Sequence, residues 1–546
     1  MTVQLPFDIW FKILDYLPSN DSVIRLRTVN RVFLEIARRL LYGKLCINKY
    51  EKRTKHLLKG ISSCSLGSHV HSLHIQPWTV SSLVSPTSTR RHGPAGRVSS
   101  AFDHVCSFFD SDYAVRKAQA LLEKRMCKQI KLVTDTVNKL EHVREYTVDW
   151  DVEKPYHAQL FTAFLTLLNI SPFSQTLTVL TLRVPTDRLA CLAPIHLPAL
   201  EELNVHLTTQ SLSERYINDC LDCFSVFVNN LFPTLRSLSV SSTHLSLNLN
   251  LSKFFRLLSI AYFPRLRAFA LSIPYDGSYL PNETDGIASL HSFILKHSRN
   301  LQYLKLSSYP RCSFIRTRPS DPLAKYWIQR TLLTPGLADA LVSLNCLELA
   351  VRPLRSDLGP FLVFISSVAH QLDSLVLTDD PLTAEEVEMV VDALGTPASG
   401  FLRHLSLHLQ YLSPATLDIL ASRLPSLTSL RLTFGDIKSS TPVADGSAYG
   451  REVWLSQMEY ELNLFHDDLS LRSVQGTYNH WPVSSLVLSA CSSYYSQYQY
   501  HNHSYYHHRR LYVDGTETGA AARKTLDDLE EVFRKCIPSL AKVCFI

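Results

Sequence analysis

One hydrophobic pattern, Leu-x-x-Leu-x-Leu, recurs along most of the chain. Its last two apolar residues are two positions apart, so they face the same side of a short strand. Between copies the apolar spacing is helical, as in residues 217–231 and 384–394. A strand and a helix cannot bury their apolar faces alone, so successive copies must stack on one another. Nine copies follow the pattern closely, and they start at Leu177, Leu200, Leu235, Leu266, Leu301, Leu344, Leu372, Leu402 and Leu427.

The spacing of these copies indicates an irregular repeat array of the α/β class. Successive starts are 23 to 43 residues apart, and weaker copies begin at Val70 and Val483. The pattern resembles the leucine-rich repeat family. That resemblance implies an irregular solenoid with one strand and one helix in each repeat. The alternative is a doubly wound α/β domain with leucine-rich strands.

The first 45 residues have helical spacing instead. Pro6 and Asp8 suit the first turn of a helix, Pro18 ends that helix, and residues 19–22 can cap a second one. Three helical groups of apolar residues follow from the spacing: Ile9, Ile13 and Leu17, then Val23, Leu26 and Val29, then Phe33, Ile36, Ala37, Leu40 and Leu41. Three helices in so few residues cannot hide this much apolar surface, so we expect part of it to contact a partner.

These residues resemble the F-box family. The matching segments are Leu5-Pro6, Ile13-Leu14-x-Tyr16-Leu17, Leu26-Arg27-x-Val29-Asn30-Arg31 and Phe33. Two positions depart from the family pattern, since Phe33 replaces a tryptophan and Ser22-Val23 replaces an acidic–leucine pair. The resemblance implies docking on the adaptor Skp1 and, through it, on a cullin scaffold for ubiquitin transfer. The Skp1-binding residues carried over from the motif are Leu5, Pro6, Ile13, Leu14, Leu26 and Val29. The alternative is an ordinary N-terminal helical cap.

Composition indicates a soluble globular protein. Hydrophobic residues make up 46% of the 546 residues, and the mean hydropathy is near zero. The 55 basic and 49 acidic residues give a net charge of +6, and no long Lys/Arg stripe appears in the sequence. We therefore expect neither nucleic acid nor a membrane as a partner. The absence of a signal-like N-terminus and of a long apolar run predicts a location in the cytoplasm, the nucleus or both.

The sequence offers no clear catalytic or metal-binding motif. The 12 cysteines are scattered, as buried thiols are in a reducing compartment. Cys220 and Cys223 form one Cys-x-x-Cys pair, but it lies in a helical pattern without a second pair at zinc-like spacing. Glycine-rich phosphate loops, HExxH, GxSxG and calcium-loop motifs are missing. We expect no enzymatic activity, no cofactor and no metal. A deep polar pocket with converging titratable groups would instead support an enzymatic function.

Several segments interrupt the array. Residues 79–100 are rich in Ser, Thr, Pro and Gly and are predicted to form a mobile loop. A long amphipathic helix should follow, with one side made of Leu121, Leu122, Met126, Ile130, Val133 and Val137. Residues 494–510 mix Tyr, His and Arg; we interpret them as a solvated or partner-facing loop, with metal binding or nucleic-acid stacking as alternatives. A helix over 526–536 and the apolar tail after it should cap the array.

Three domains follow from these patterns: an F-box over 1–45, a connecting region over 46–170 with the mobile loop and the first irregular repeats, and the repeat array with its cap over 171–546. The residues beside the two strand leucines should line the exposed face of the sheet, which is concave in this architecture. They are polar and differ from copy to copy, as expected for a binding face, although a solvated face without a partner would look similar. The predicted substrate-binding residues are Arg183, Tyr303, Lys305, His404, His408 and Arg431.

Together these features predict the substrate-recognition subunit of a Skp1–cullin–F-box ubiquitin ligase. The F-box would dock on Skp1, and the repeats would bind a target protein of unknown identity. The alternative is a non-catalytic interaction protein that uses Skp1 or the repeats outside a ligase.

Overall fold

The computed structural model describes most of the repeat region and part of the N-terminal unit. The described residues are 9, 12, 24–29, 31–63, 65–81, 113–151, 158–209, 212–242, 246, 248–274, 277–281, 284–309, 326–354, 357–395, 401–438, 451–490 and 529–545. The chain divides into two compact units, residues 1–249 and residues 250–546. Each unit is a run of strand–helix repeats.

Parallel strands form the sheet of each unit, and each strand pairs with the next one along the chain. The first unit contains β1 (Lys44–Ile47), β2 (Ser72–Ile75), β3 (Glu145–Asp149), β4 (Val179–Pro185), β5 (Glu202–Thr208) and β6 (Ser237–Ser242). The second contains β7 (Ala268–Pro274), β8 (Tyr303–Tyr309), β9 (Cys346–Ala350), β10 (Ser374–Thr378), β11 (His404–Leu412), β12 (Ser429–Ile437), β13 (Ser485–Ala490) and β14 (Lys542–Phe545). The α/β class and the repeat architecture are therefore confirmed.

Strand register places the repeated leucines in rows. Leu347 of β9 pairs with Leu304 of β8 and with Leu375 of β10, and all three are buried. Alternate positions on the same strands are more exposed, so the leucines form the core and their neighbours line the other face. The turn before each strand repeats as well: the N–H groups of Gln302 and Tyr303 both donate to the carbonyl of Arg267 in the preceding copy.

Helices connect the strands and cover the leucine side of the sheet. They are α1 (Arg31–Tyr42), α2 (Lys52–Ser63), α3 (Pro77–Ser81), α4 (Tyr113–Val137), α5 (Ala158–Ile170), α6 (Glu214–Asn230), α7 (Ser252–Leu258), α8 (Gly286–His297), α9 (Trp327–Leu332), α10 (Leu337–Ala340), α11 (Gly359–Val368), α12 (Ala384–Ala393), α13 (Pro414–Arg423) and α14 (Arg451–Gln475). Neighbouring helices pack side by side, for example α2 with α4 and α12 with α13. A short 3-10 turn, Thr186–Leu192, takes the place of a helix between β4 and β5, and another, Arg352–Leu354, precedes α11 between β9 and β10.

Three strands lie where the sequence pattern was not recognised. Strands β1, β3 and β14 keep the three-then-two spacing, but other apolar residues occupy some or all of the leucine positions. In β3, for instance, Val143, Tyr146 and Val148 occupy the three apolar positions, and all are buried. The apolar tail therefore adds the strand β14 beside β13, with residues 529–536 helical before it.

Two segment predictions need correction. The mobile loop was predicted from residue 79, but Thr79 is buried within α3 and its hydroxyl donates to the carbonyl of Gln76 at 2.7 Å. Residues 82–100 and 494–510 lie outside the described residues. The long helix is present as α4, yet Leu121 is 49% exposed whereas Val133 and Val137 are fully buried, so only its C-terminal half packs. The predicted domain boundaries stay predictions.

Candidate interaction surfaces

The described part of the N-terminal unit consists of Ile9, Lys12, residues 24–29 and α1. Helix α1 turns Phe33, Ile36 and Ala37 inward, where they are buried. Of the residues predicted to bind Skp1, Leu26 is half-buried and Val29 is 62% exposed. The other four, Leu5, Pro6, Ile13 and Leu14, lie outside the described residues.

Several apolar side chains of the N-terminal unit are exposed to solvent. Ile9, Val29, Leu40 and Leu41 are all more than two-fifths exposed. Exposed apolar surface of this kind is suited to a protein partner. Of the three predicted helices, the third is fully described, as α1, and its Leu40 and Leu41 are among these exposed side chains.

Gly43 joins the N-terminal unit directly to the first repeat. Its N–H donates to the carbonyl of Arg39 at 2.8 Å, and its own carbonyl accepts from the N–H groups of His71 and Ser72 at 2.9 Å each. A Cβ at this position would collide with the Arg39 carbonyl oxygen. The end of α1 is therefore hydrogen-bonded to the start of β2 in a turn that only glycine fits.

Asp149 is the centre of the polar face in the first unit. Its carboxylate lies 3.7 Å from Nη1 of Arg183, 3.5 Å from Nε2 of His74 and 3.4 Å from Nε2 of Gln76. These residues come from β2, β3 and β4 and the turn after β2, so neighbouring copies converge on one acid. Arg183 is still 59% exposed, which leaves part of its guanidinium available to a ligand.

His206 on β5 extends the same face as a neutral group. Its Nδ1 lies 2.8 Å from the hydroxyl of Ser241 on β6. Burial, followed by the positive charge of Arg183, lowers the pKa of His206 to about 4. At neutral pH this ring therefore offers hydrogen bonds and no charge.

Tyr303 and Lys305 on β8 converge on Glu348 of β9. The Tyr303 hydroxyl donates to Oε2 at 2.9 Å, and Lys305 Nζ lies 2.6 Å from Oε1. The register explains this contact, since Lys305 and Glu348 are direct partners across the two strands. Burial, followed by the charge of Glu348, raises the pKa of Tyr303, so the phenol stays protonated.

A second cluster in this unit surrounds Asp379, just after β10. Its carboxylate accepts from Ser308 at 3.0 Å and from Nε of Arg352 at 3.1 Å, and its carbonyl lies 3.0 Å from Nδ1 of His408. Burial raises the pKa of Asp379, and the charge of Arg352 opposes that shift. Asp379 also has a φ of 77°, a left-handed conformation that Asp tolerates better than most residues. These contacts hold His408 in the second unit's polar face.

The two remaining predicted residues are more exposed. His404 lies 3.8 Å from a carboxylate oxygen of Asp373, at the start of β11. Arg431 projects from β12 between Ser406 and Val487 of the neighbouring strands, and its side chain is exposed. Among the described residues, no carboxylate pairs with Arg431. It is therefore the predicted anchor with the most freedom to bind a ligand.

Sequence reasoning chose the cations of this face as anchors and placed Glu348 on the same face without pairing it with Lys305, but it missed Asp149 and Asp379. Glu348 occupies the same position in its copy as Lys305 does in the preceding one, so aligning the copies would have revealed the pair. Asp149 corresponds to Arg183 in the same way, but its copy lacks leucines. Asp379 and Arg352 meet through loops after the strands, which no repeat alignment would predict.

The structure also describes the Cys-x-x-Cys pair and the other side chains that could bind a metal. Cys220 and Cys223 are free thiols one turn apart on α6. No group of three or more His, Cys, Asp or Glu side chains in the described part of the chain has metal-binding geometry. Among the described residues, no helix combines the length and the apolar character that a membrane span requires.

Comparison with known families identifies the N-terminal unit. Residues 3–44 match the F-box domain model, and the parallel strand–helix repeats that follow are consistent with leucine-rich repeats. No curated protein matches the chain significantly. An F-box domain implies binding to Skp1, which is typical of the substrate adaptors of Skp1–cullin–F-box ligases. Proteins that join an F-box to such repeats are usually non-catalytic adaptors.

Proposed function

We propose that this F-box protein is the substrate-recognition subunit of a Skp1–cullin–F-box ubiquitin ligase. Its F-box docks on Skp1, and the polar face of its repeats binds a target protein. The chain performs no chemistry and uses no cofactor or metal. It raises the effective concentration of a target lysine near the ubiquitin-carrying enzyme, so its contribution is proximity and orientation.

This proposal rests on one observation: the same chain contains an F-box match and a series of repeats with a polar face. The turn at Gly43 supports it, because hydrogen bonds join α1 to the start of β2. A short, hydrogen-bonded connection limits how far the first repeats can move relative to the F-box. Limited motion is what an adaptor needs if it is to present its target in a fixed orientation.

The chemistry of the repeat face also supports a binding role. Acids and cations from adjacent copies meet in pairs, as Lys305 and Glu348 do, while Arg183 and Arg431 remain largely exposed. Such a face offers hydrogen bonds and exposed charge to a protein ligand, with Arg and Tyr as the usual anchors. We expect the complex to form in the cytoplasm, the nucleus or both.

The first test is Skp1 binding by a variant of the motif. A Leu5→Ala/Pro6→Ala variant of the full chain should lose Skp1 in a pull-down and keep its circular dichroism spectrum and thermal midpoint. The matched control is Leu121→Ala/Leu122→Ala, which removes two exposed leucines of α4 outside the F-box. Undiminished Skp1 binding by the first variant would remove the case for a working F-box.

The second test separates a ligase subunit from an interaction protein. Co-purification from cell extract should recover a cullin together with Skp1. Skp1 without any cullin would favour the alternative, a structural protein acting outside a ligase. Proteins that accumulate when the chain is deleted, and that bind its repeats directly, are the candidate targets.

A further inference from the structure

Helices α2 and α4 concentrate positive charge in the first unit. Helix α2 carries four Lys/Arg residues and no Asp or Glu, and α4 carries six against two. The two helices together have a net charge of +8, which exceeds the +6 of the whole chain. The sequence did not reveal a basic stripe because about fifty residues separate the two segments.

The fold places these two helices side by side. The hydroxyl oxygen of Thr136 on α4 lies 3.5 Å from the carbonyl oxygen of Leu58 on α2. Just beyond α4, Lys139 Nζ donates to the carbonyl of Ser62 at 3.1 Å. The contacts advance in the same direction along both helices, with sequence separations of 78 and 77 residues. The helices therefore run parallel, with axes about 10 Å apart.

Lysines form a stripe on the outer side of each helix. On α2 they recur at i, i+3 and i+7, and on α4 at i, i+4 and i+7, so each set lies on one face. The stripes point away from the buried faces marked by Ile61 on α2 and Val133 on α4. All six side chains are exposed: Lys52, Lys55, Lys59, Lys124, Lys128 and Lys131. We call these six residues the lysine surface.

The six lysines far outnumber the acids beside them, and the exposed carboxylate on their face of α4 is Asp135, four residues after Lys131. Within the described residues, none of its six ammonium groups forms an ion pair with a carboxylate. Lys55 Nζ instead lies 6.0 Å from the centre of the Tyr50 ring. Lysines three or four residues apart on one helix repel one another, and a negatively charged ligand would relieve the repulsion.

We propose that the lysine surface binds an Asp/Glu-rich segment of a protein partner. The stripe from Lys124 to Lys131 is about 10 Å long at 1.5 Å per residue. An extended peptide of about six to eight residues would cover both stripes. Lysines dominate the surface, and a lysine recognises negative charge as a point, whereas arginine favours the forked geometry of phosphate and carboxylate. The surface is therefore suited to a flexible acidic segment, which it would recognise by the density of negative charge.

Two other polyanions fit less well. Nucleic-acid binding usually adds exposed aromatic side chains for base stacking, but α2 has no Phe, Tyr or Trp and α4 has only Tyr113 at its first position. The Tyr50 ring beside Lys55 is buried. A membrane-surface helix needs an apolar face to insert, but the large hydrophobic side chains exposed on the described parts of α2 and α4 are Leu121 and Leu122 alone. This proposal does not depend on the ligase role.

Fluorescence anisotropy with the full chain and a labelled peptide of eight alternating Asp and Glu residues tests the proposal. Binding should weaken as salt is raised, because the contacts are exposed charges. The variants Lys52→Glu/Lys55→Glu/Lys59→Glu and Lys124→Glu/Lys128→Glu/Lys131→Glu should each weaken it about tenfold or more. Lys→Arg changes at the same positions should preserve binding.

The matched control reverses three exposed arginines of the second unit, Arg265→Glu/Arg267→Glu/Arg299→Glu. It changes the net charge by the same amount and should leave peptide binding within about twofold of the original. Equal losses in the control and in the lysine variants would overturn the proposal, since only net charge would then matter. Tighter binding to a DNA or RNA duplex, or to phosphatidylserine vesicles, than to the peptide would also overturn it.

Discussion

At the scale of single residues, His297 shows how the core depends on protonation. The ring is buried among aromatic side chains, with Nδ1 at 2.8 Å from the carbonyl of Phe293 and Nε2 accepting from the N–H of Phe263 at 3.1 Å. Both contacts require the neutral ring with its proton on Nδ1. Burial lowers the pKa of His297 to about 4, because a charged imidazolium in this site would lose its hydration.

The sign of the pH effect follows from this lowered pKa. The unfolded chain titrates near 6.5, so between pH 6.5 and 4 it binds more protons than the folded chain. The stability due to neutral His297 is present above pH 6.5 and is lost as the pH falls towards 4. We expect the unfolding free-energy difference between the original chain and His297→Leu to shrink from pH 7 to pH 4, by up to about 3 kcal/mol. Urea titrations at both pH values measure it.

The exposed His370 of the same unit provides the control for this experiment. Its replacement by Leu should change the unfolding free energy by less than about 0.5 kcal/mol at either pH, as surface substitutions usually do. A difference for His297→Leu that is the same at pH 7 and pH 4 would mean that the ring does not titrate in this window.

At the scale of elements, one ion pair connects the long helix α14 with α13. Arg472 holds Asp418 through Nε and Nη2 at 2.9 Å, and the hydroxyl of Tyr478 donates to the same carboxylate at 2.5 Å. The Arg472 side chain is largely buried, so its loss leaves Asp418 without its counter-charge. We expect Arg472→Met to lower the free energy of unfolding by about 2 kcal/mol, measured in urea.

A neighbouring pair of the same chemistry shows the contrast. Arg423 of α13 and Asp392 of α12 lie 2.9 Å apart, but both side chains are about half exposed. Water and salt weaken such a pair, so Arg423→Met should cost no more than about 1 kcal/mol. If both replacements cost the same, burial is not what makes the Arg472 contact stabilising.

The elements themselves were largely predictable from sequence. Period-two leucines and intervening helical spacing gave the strands and helices of the array, because packing on a shared core demands that spacing in every copy. Strands such as β3 were not predicted because Tyr146 and Val148 replace the leucines of the pattern. These two side chains are buried as the leucines are in other copies. The pairing of Glu348 with Lys305 was not deduced, since it depends on strand register as well as on the identity of each residue.

At the scale of the whole molecule, target binding and Skp1 binding should be separable by mutation. A substitution at Arg431 is the most direct test of target binding, because this residue is exposed and no described carboxylate pairs with it. Arg183 and Tyr303 each already contact an acid, Asp149 and Glu348, so a ligand must compete for them. The effect of Arg431→Ala should therefore exceed those of Arg183→Ala and Tyr303→Ala.

Once a target is known, Arg431→Ala should weaken its capture by about tenfold, as truncating an interface anchor costs 1–2 kcal/mol or more. Skp1 pull-down should be unchanged, whereas Leu5→Ala/Pro6→Ala should show the reverse pattern. Arg265→Ala, at another exposed arginine in the turn before β7, is the matched control and should affect neither. If Arg431→Ala, Arg183→Ala and Tyr303→Ala all leave capture intact, recognition lies off this face, and the Tyr/His-rich residues 494–510 are the next segment to test.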